Sequence, residues 1–236
     1  MTETMTTSPR DEALRAIEQS AALRALFEHA RALLDDDPGH DVEHCLRVAG
    51  WTLRCGGPQI DVGEAIAAAL LHDVVNVPKD DPRRAEASAL SAREARPILA
   101  AFGFDAAAIE RVAHAIEDHS YSRGATPRSA LGRALQDADR LESLGVLAVF
   151  RTISTGTRMN ARYFDGADPW AEERPLDDLR FSVDHFFTKV LRLHATMQTD
   201  AGREEARRRT AVLERILDDL AEELGRPRPE PQRSNR

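Results

Sequence analysis

The sequence predicts an all-α fold, on three observations. Apolar residues recur with helical period along nearly every segment, and no stretch sustains the alternation of a half-buried strand. Aromatic residues make up only 5% of the chain while alanine is abundant, a bias toward helix over sheet. At 236 residues the chain can bury a real core, and no linker or internal repeat divides it. The expectation is one compact helical domain over 11–224, between a disordered N-terminus (1–10) and a disordered Pro/Arg-rich tail (225–236).

The helices are expected near 11–35, 41–55, 62–75, 86–102, 106–120, 128–152, 176–198 and 202–224. Asp41, Asp61 and Asp105 each stand just before a periodic segment, where a short carboxylate can cap the free N–H groups of a first turn. Phe104 and Ile109 flank Asp105 with the spacing of a hydrophobic staple. Gly56-Gly57-Pro58 closes the second helix. The third helix is apolar on all sides from Ala65 to Leu71 and should therefore be central and buried. Two loops stand out: "NVPKDDPRRAEAS" (76–88), and "GTRMNARYFDGADPWAEERP" (156–175), whose length suits either a lid or a merely mobile segment.

Composition narrows the function. A net charge of −8 disfavours a nucleic-acid polymer as partner, but one local basic pocket is enough for a small phosphorylated substrate. Two cysteines, Cys45 and Cys55, are too few for a disulfide framework and suit reduced thiols in a cytoplasm. The N-terminus lacks the apolar core of a secretion signal, and no apolar run reaches the roughly 20 residues of a membrane span. The expected location is cytoplasmic, with no membrane partner.

His72 and Asp73 follow the most apolar helix directly, although buried charge is costly unless paired or bound to a metal. On helix 41–55, Val42, Leu46, Ala49 and Leu53 form one stripe, and His40, His44, Arg47 and Trp51 form the opposite one. That second face can offer an imidazole to a metal and a guanidinium to a phosphate. Against the inward stripe Ile109, Val112, Ala113 and Ile116, His119 lies alongside and His114 points away. His119 opens "HSYSRG", a setting suited to phosphate oxygens or, equally, to a satisfied core histidine. Asp137 and Asp139 flank the stripe Leu131, Leu135, Ala138 and Leu141 at similar angles, and periodicity does not choose between them.

The order His44, His72-Asp73 and then an aspartate resembles the H…HD…D pattern of the HD-domain metal-dependent phosphohydrolases. The segments "HDVEHCLRV", "ALLHDVVNVPKDDPRRAEAS", "HSYS", "QDADRLESLGVLAVFRT" and "DHFFTKVLRL" are similar to the YedJ/YpgQ-like subgroup over roughly residues 40–200. The resemblance implies a helical HD-domain bundle. It matches Asp139 as the last ligand, so the implied metal set is His44, His72, Asp73 and Asp139. That set suits one divalent ion: Mn²⁺ is favoured, and Mg²⁺, Co²⁺, Fe²⁺, Ni²⁺ or Zn²⁺ are compatible. His72, Asp73 and Lys79 are the expected catalytic residues, and Arg47, Lys79, His119 and Arg140 the expected substrate contacts. Asn76 stands where some HD nucleotidases keep an acidic residue.

The implied activity is hydrolysis of a nucleoside triphosphate to monophosphate and pyrophosphate. The alternatives are a nucleoside monophosphate phosphatase, a di-iron oxygenase on the same scaffold, or a non-catalytic nucleotide-binding module. No GxxxxGK phosphate loop and no GxSxG elbow occurs.

Overall fold

The computed structural model describes residues 7–34, 39, 41–75, 77, 82–120 and 124–229. Among them are ten α-helices and no β-strand, only an isolated bridge between Arg162 and Phe181. No helix of the described residues is long and apolar enough to cross a membrane. The chain divides into two compact units, one of Met1–Glu142 with Met197–Gly202 and one of Ser143–Thr196 with Arg203–Arg236.

The first unit holds α1 (Pro9–Glu18), α2 (Ala21–Leu33), α3 (Val42–Gly56), α4 (Val62–Leu71), α5 (Ala87–Ala101), α6 (Ala106–Asp118) and α7 (Ala130–Glu142). Every side chain of α4 from Ala65 to Leu71 is fully buried, because α1, α2, α3, α5, α6 and α7 all pack against it. The expected caps form: Asp41, Asp61 and Asp105 accept from the backbone N–H of His44, Glu64 and Ala108 at 2.8, 2.9 and 2.8 Å. The helix expected at 11–35 is instead two. Ser8 caps α1 with Pro9 at its first position, and Ser20, in extended backbone, caps α2 by accepting from Leu23 N at 3.3 Å.

The expected 128–152 helix is also two, α7 and α8 (Val146–Arg158), separated at Gly145 with φ +73° and ψ −158°. A side chain there would be strained, so the glycine lets the chain turn where helical periodicity alone would carry it through. In place of 176–198 the structure has a short α9 (Ser182–Thr188) and a 3-10 segment (Val190–Thr196), and α10 then runs Asp200–Leu224.

The second unit fixes the long loop at several points. Asp165 accepts from Ala167 N and Asp168 N, and Asp168 accepts from Glu172 N and Glu173 N. Arg174 makes a forked ion pair with the buried Asp184 and lies over the Phe181 ring at 4.4 Å. Trp170 Nε1 donates to Arg226 O at 2.9 Å, and Arg228 pairs with Glu214 and Asp218 on α10. These contacts hold the loop within the second unit.

Candidate metal centre

The candidate centre lies wholly in the first unit. The cap at Asp41 sets the start of α3, so His44 turns inward in its first turn and is fully buried. Helix α4 stops at Leu71, and His72 and Asp73 occupy the turn at its C-terminal end, His72 fully buried. His119 stands at the C-terminal end of α6, and Asp139 lies on α7.

These five side chains converge. His44 Nε2 and His72 Nε2 are 3.3 Å apart. Asp139 Oδ1 lies 3.8 Å from His44 Nε2 and 3.9 Å from His72 Nε2. Asp73 Oδ2 is 3.5 Å from His72 Nε2, and Asp73 Oδ1 is 3.6 Å from His119 Nε2. The result is two overlapping trios, His44–His72–Asp139 and His72–Asp73–His119, each with donor atoms close enough together to share one ion. The carboxylates are 23–24% exposed while the imidazoles are buried, so solvent reaches the group from the carboxylate side.

The hydrogen bonds on the far ring nitrogens decide what the near ones can do. His72 Nδ1 lies 2.7 Å from Ala69 O and His119 Nδ1 lies 2.6 Å from Ile116 O. A carbonyl only accepts, so both Nδ1 atoms carry the proton. Burial pushes the His72 pKa down to about 4, against the opposing pull of Asp73 and Asp139. Its Nε2 is therefore a bare lone pair at neutral pH. His44 Nδ1 faces the Glu142 carboxylate at 3.5 Å. Burial would also lower His119, but the neighbouring Asp73 outweighs it and raises the pKa. Burial would raise Asp139, yet the surrounding histidines hold it below its ordinary value.

His72 Nε2 and His44 Nε2 stand 3.3 Å apart with carboxylate oxygens of Asp73 and Asp139 within 4 Å, a gathering of nitrogen and oxygen donors of the kind that a cation compensates. The donor set fits a divalent metal on that ground. It is mixed nitrogen and oxygen with no cysteine in either trio, and this composition matches a first-row or hard divalent ion better than a closed structural zinc.

The other expected site residues are distributed as follows. Asp137 points away: it is buried and accepts from Gln198 N, Thr199 N and Thr199 Oγ1 at 2.8, 2.7 and 2.7 Å, anchoring the start of α10. Arg47 Nε donates to Glu142 Oε2 at 2.7 Å. Arg140 is buried, not at the surface. His119 is buried and His114 half-exposed beside Glu110, as their helical angles indicate. Lys79, His40 and Asn76 lie outside the described residues.

Glu142 escapes the sequence reading, although a signal for it exists. His44 and Arg47 are three apart on α3, Asp139 and Glu142 are three apart on α7, and the two helices pack together. Burial would raise the Glu142 carboxyl, but His44 and Arg47 keep it below its ordinary value, hence ionised.

The HD-domain family profile matches residues 41–144, a span that includes all five converging side chains. The chain is 30% identical over 217 residues to Bacillus subtilis (strain 168) YpgQ, covering 89% of this chain and 96% of that one. The crystal structure of Bacillus subtilis YpgQ in complex with ADP aligns with a TM-score of 0.67 at 28% identity, over 90% of this chain and 96% of that chain. A predicted HD-superfamily hydrolase from an uncultured Thermotogales bacterium aligns at 0.58 and 27% identity, over 89% and 97% of the two chains. With His44 on α3, His72 and Asp73 at the end of α4, Asp139 on α7 and this relationship along most of its length, the chain belongs to the HD-domain family.

Proposed function

We propose that this protein is a metal-dependent phosphohydrolase that cleaves a nucleoside triphosphate to monophosphate and pyrophosphate. The observation that carries the reading is the convergence of imidazole nitrogens and partly exposed carboxylates in two overlapping trios that share His72. The ADP complex of the related YpgQ supports a nucleotide as the ligand class. In this reading His44, His72, Asp73 and Asp139 hold one divalent ion, with Mn²⁺ favoured. When bound, such an ion supplies an acidified water as nucleophile and offsets phosphate charge.

The chain's own residues do the rest. Asp73 and Asp139 turn their exposed edges toward the incoming phosphate side, and His72 stays neutral because burial disfavours its protonation. His119, beside Asp73, meets a phosphate oxygen or completes the ligand set. Arg47, held through Nε, offers its remaining guanidinium N–H groups to a phosphate, and Lys79 and Arg140 add positive charge. The compartment is the cytoplasm.

The test is an assay of metal-stripped protein against nucleoside mono-, di- and triphosphates. Mn²⁺, Mg²⁺, Co²⁺, Fe²⁺, Ni²⁺ and Zn²⁺ are added back singly, and pyrophosphate and orthophosphate are read separately. Pyrophosphate from triphosphates, lost in Asp73→Ala, supports the proposal. Orthophosphate from monophosphates makes the protein a nucleotidase instead, and no product with any metal refutes hydrolysis of nucleotides. His119→Asn separates the two roles of that residue: a raised KM marks a phosphate contact, and weakened Mn²⁺ binding marks a ligand.

A further inference from the structure

We propose that Glu142 is a positioning residue for the metal centre, acting through His44 and held in turn by Arg47. This rests on the reading above that His44 is a metal ligand. Glu142 Oε2 lies 3.5 Å from His44 Nδ1 and accepts from Arg47 Nε at 2.7 Å, so one carboxylate oxygen faces a ring nitrogen and a guanidinium from the same helix. The carboxylate side chain is only 1% exposed and Arg47 is 30% exposed, so the chain runs from a buried ligand outward to a half-buried cation.

The arrangement has a specific consequence for His44. The other two imidazoles of the cluster are oriented by backbone carbonyls of their own helices, Ala69 O and Ile116 O. His44 sits in the first turn of α3, and its Nδ1 faces a carboxylate side chain from α7. Glu142 therefore does for His44 what the helix backbone does for His72 and His119. It holds the proton on Nδ1 and leaves Nε2 for the ion. A carboxylate behind a ligating imidazole also raises its basicity, and losing such a partner commonly weakens metal affinity tenfold to a hundredfold. Arg47 balances the buried charge of Glu142 and fixes the rotamer of its carboxylate.

The test uses the full chain, metal-stripped and labelled with ¹⁵N-histidine. Long-range ¹H–¹⁵N spectra read the tautomer of each ring, and calorimetry with Mn²⁺ alone reads affinity. The wild type is expected to show His44 as the Nδ1–H tautomer. Glu142→Gln, which keeps one acceptor oxygen, is expected to weaken Mn²⁺ about tenfold. Glu142→Leu, which keeps none, is expected to approach a hundredfold and to lose the single tautomer, with the His72 signal unchanged. Arg47→Met is expected to weaken Mn²⁺ in the same direction and Arg47→Lys to restore part of it, and the two sites are expected to be non-additive in a double-mutant cycle. If Glu142→Leu does not fold, Glu142→Gln and the Arg47 series carry the test.

Mn²⁺ affinity within twofold of wild type in every foldable Glu142 variant, with the His44 tautomer unchanged, overturns the inference. Arg47→Met that raises KM while leaving Mn²⁺ affinity intact overturns its Arg47 limb. A wild type that binds no divalent ion, or whose affinity is untouched in His44→Asn, refutes the metal reading itself.

Discussion

Gly50 lies inside α3, two turns beyond His44, where helix propensity favours replacement by alanine. Gly50→Ala is expected to stabilise an isolated helix by about 1 kcal/mol, because glycine loses more backbone freedom on folding. The structure reverses the sign. A Cβ at Gly50 would stand 1.8 Å from Pro9 O, 2.3 Å from Pro9 C and 2.6 Å from Pro9 Cα. These are backbone atoms at the start of α1, and no flexible side chain can yield in their place. Helix α1 would have to retreat by more than an ångström, and it is held there by the buried Ala13 and Ile17 and by pairs from Arg10 to Glu43 and from Arg54 to Glu12. Overpacking of this kind costs about 1–3 kcal/mol, and releasing Ile17 altogether would cost a similar 2–3 kcal/mol. With the helix-propensity gain of about 1 kcal/mol subtracted, Gly50→Ala is expected to destabilise by about 0–2 kcal/mol. Urea unfolding of wild type and variant, followed by circular dichroism, measures it. A Gly50→Ala protein more stable than wild type by the full propensity gain of about 1 kcal/mol would refute the close crossing of α1 and α3.

Four further outcomes are expected. Asp139→Asn should abolish Mn²⁺ binding yet fold, whereas Asp137→Asn should keep the centre but lose about 1–3 kcal/mol, because a buried acceptor of three hydrogen bonds is impaired; calorimetry and unfolding midpoints on both variants separate the roles. Metal-stripped protein should lose stability as the pH falls from 6.5 toward 4. The depressed pKa of His72 contributes about 3 kcal/mol that is present above pH 6.5 and gone below about 4. His119 has the opposite sign, its contribution complete below pH 6.5 and fading as the pH rises through its raised pKa, so the comparison is of slopes. Urea titrations between pH 4 and 7 should give a shallower slope for His72→Asn, and equal slopes would contradict the assignment. Arg174→Ala leaves Asp184 as a buried, uncompensated carboxylate and should cost about 3–5 kcal/mol, read by thermal unfolding. Mn²⁺ at a hundredfold above its Kd should stabilise the wild type by about 2.7 kcal/mol and Asp73→Ala by nothing measurable.

Much of this molecule is legible in the residues themselves. The all-α class, the burial of α4 and the caps at Asp41, Asp61 and Asp105 follow from local rules: apolar period, side-chain reach, and the need of a first turn's N–H groups for acceptors. His119 turning inward and His114 outward follows from their angles about a single helix. Where local rules are silent, the tertiary structure decides. The breaks at Ser20 and Gly145 interrupt segments whose apolar period continues past them, because one backbone conformation outweighs the pattern on either side. Asp137 and Asp139 are equivalent by angle and differ only in what packs beside them, the start of α10 for one and two imidazoles for the other. Glu142 acquires its place from the packing of α3 on α7, a relation between residues almost a hundred positions apart. Periodicity reports the face a side chain occupies, and only the packing of that face reports its partners.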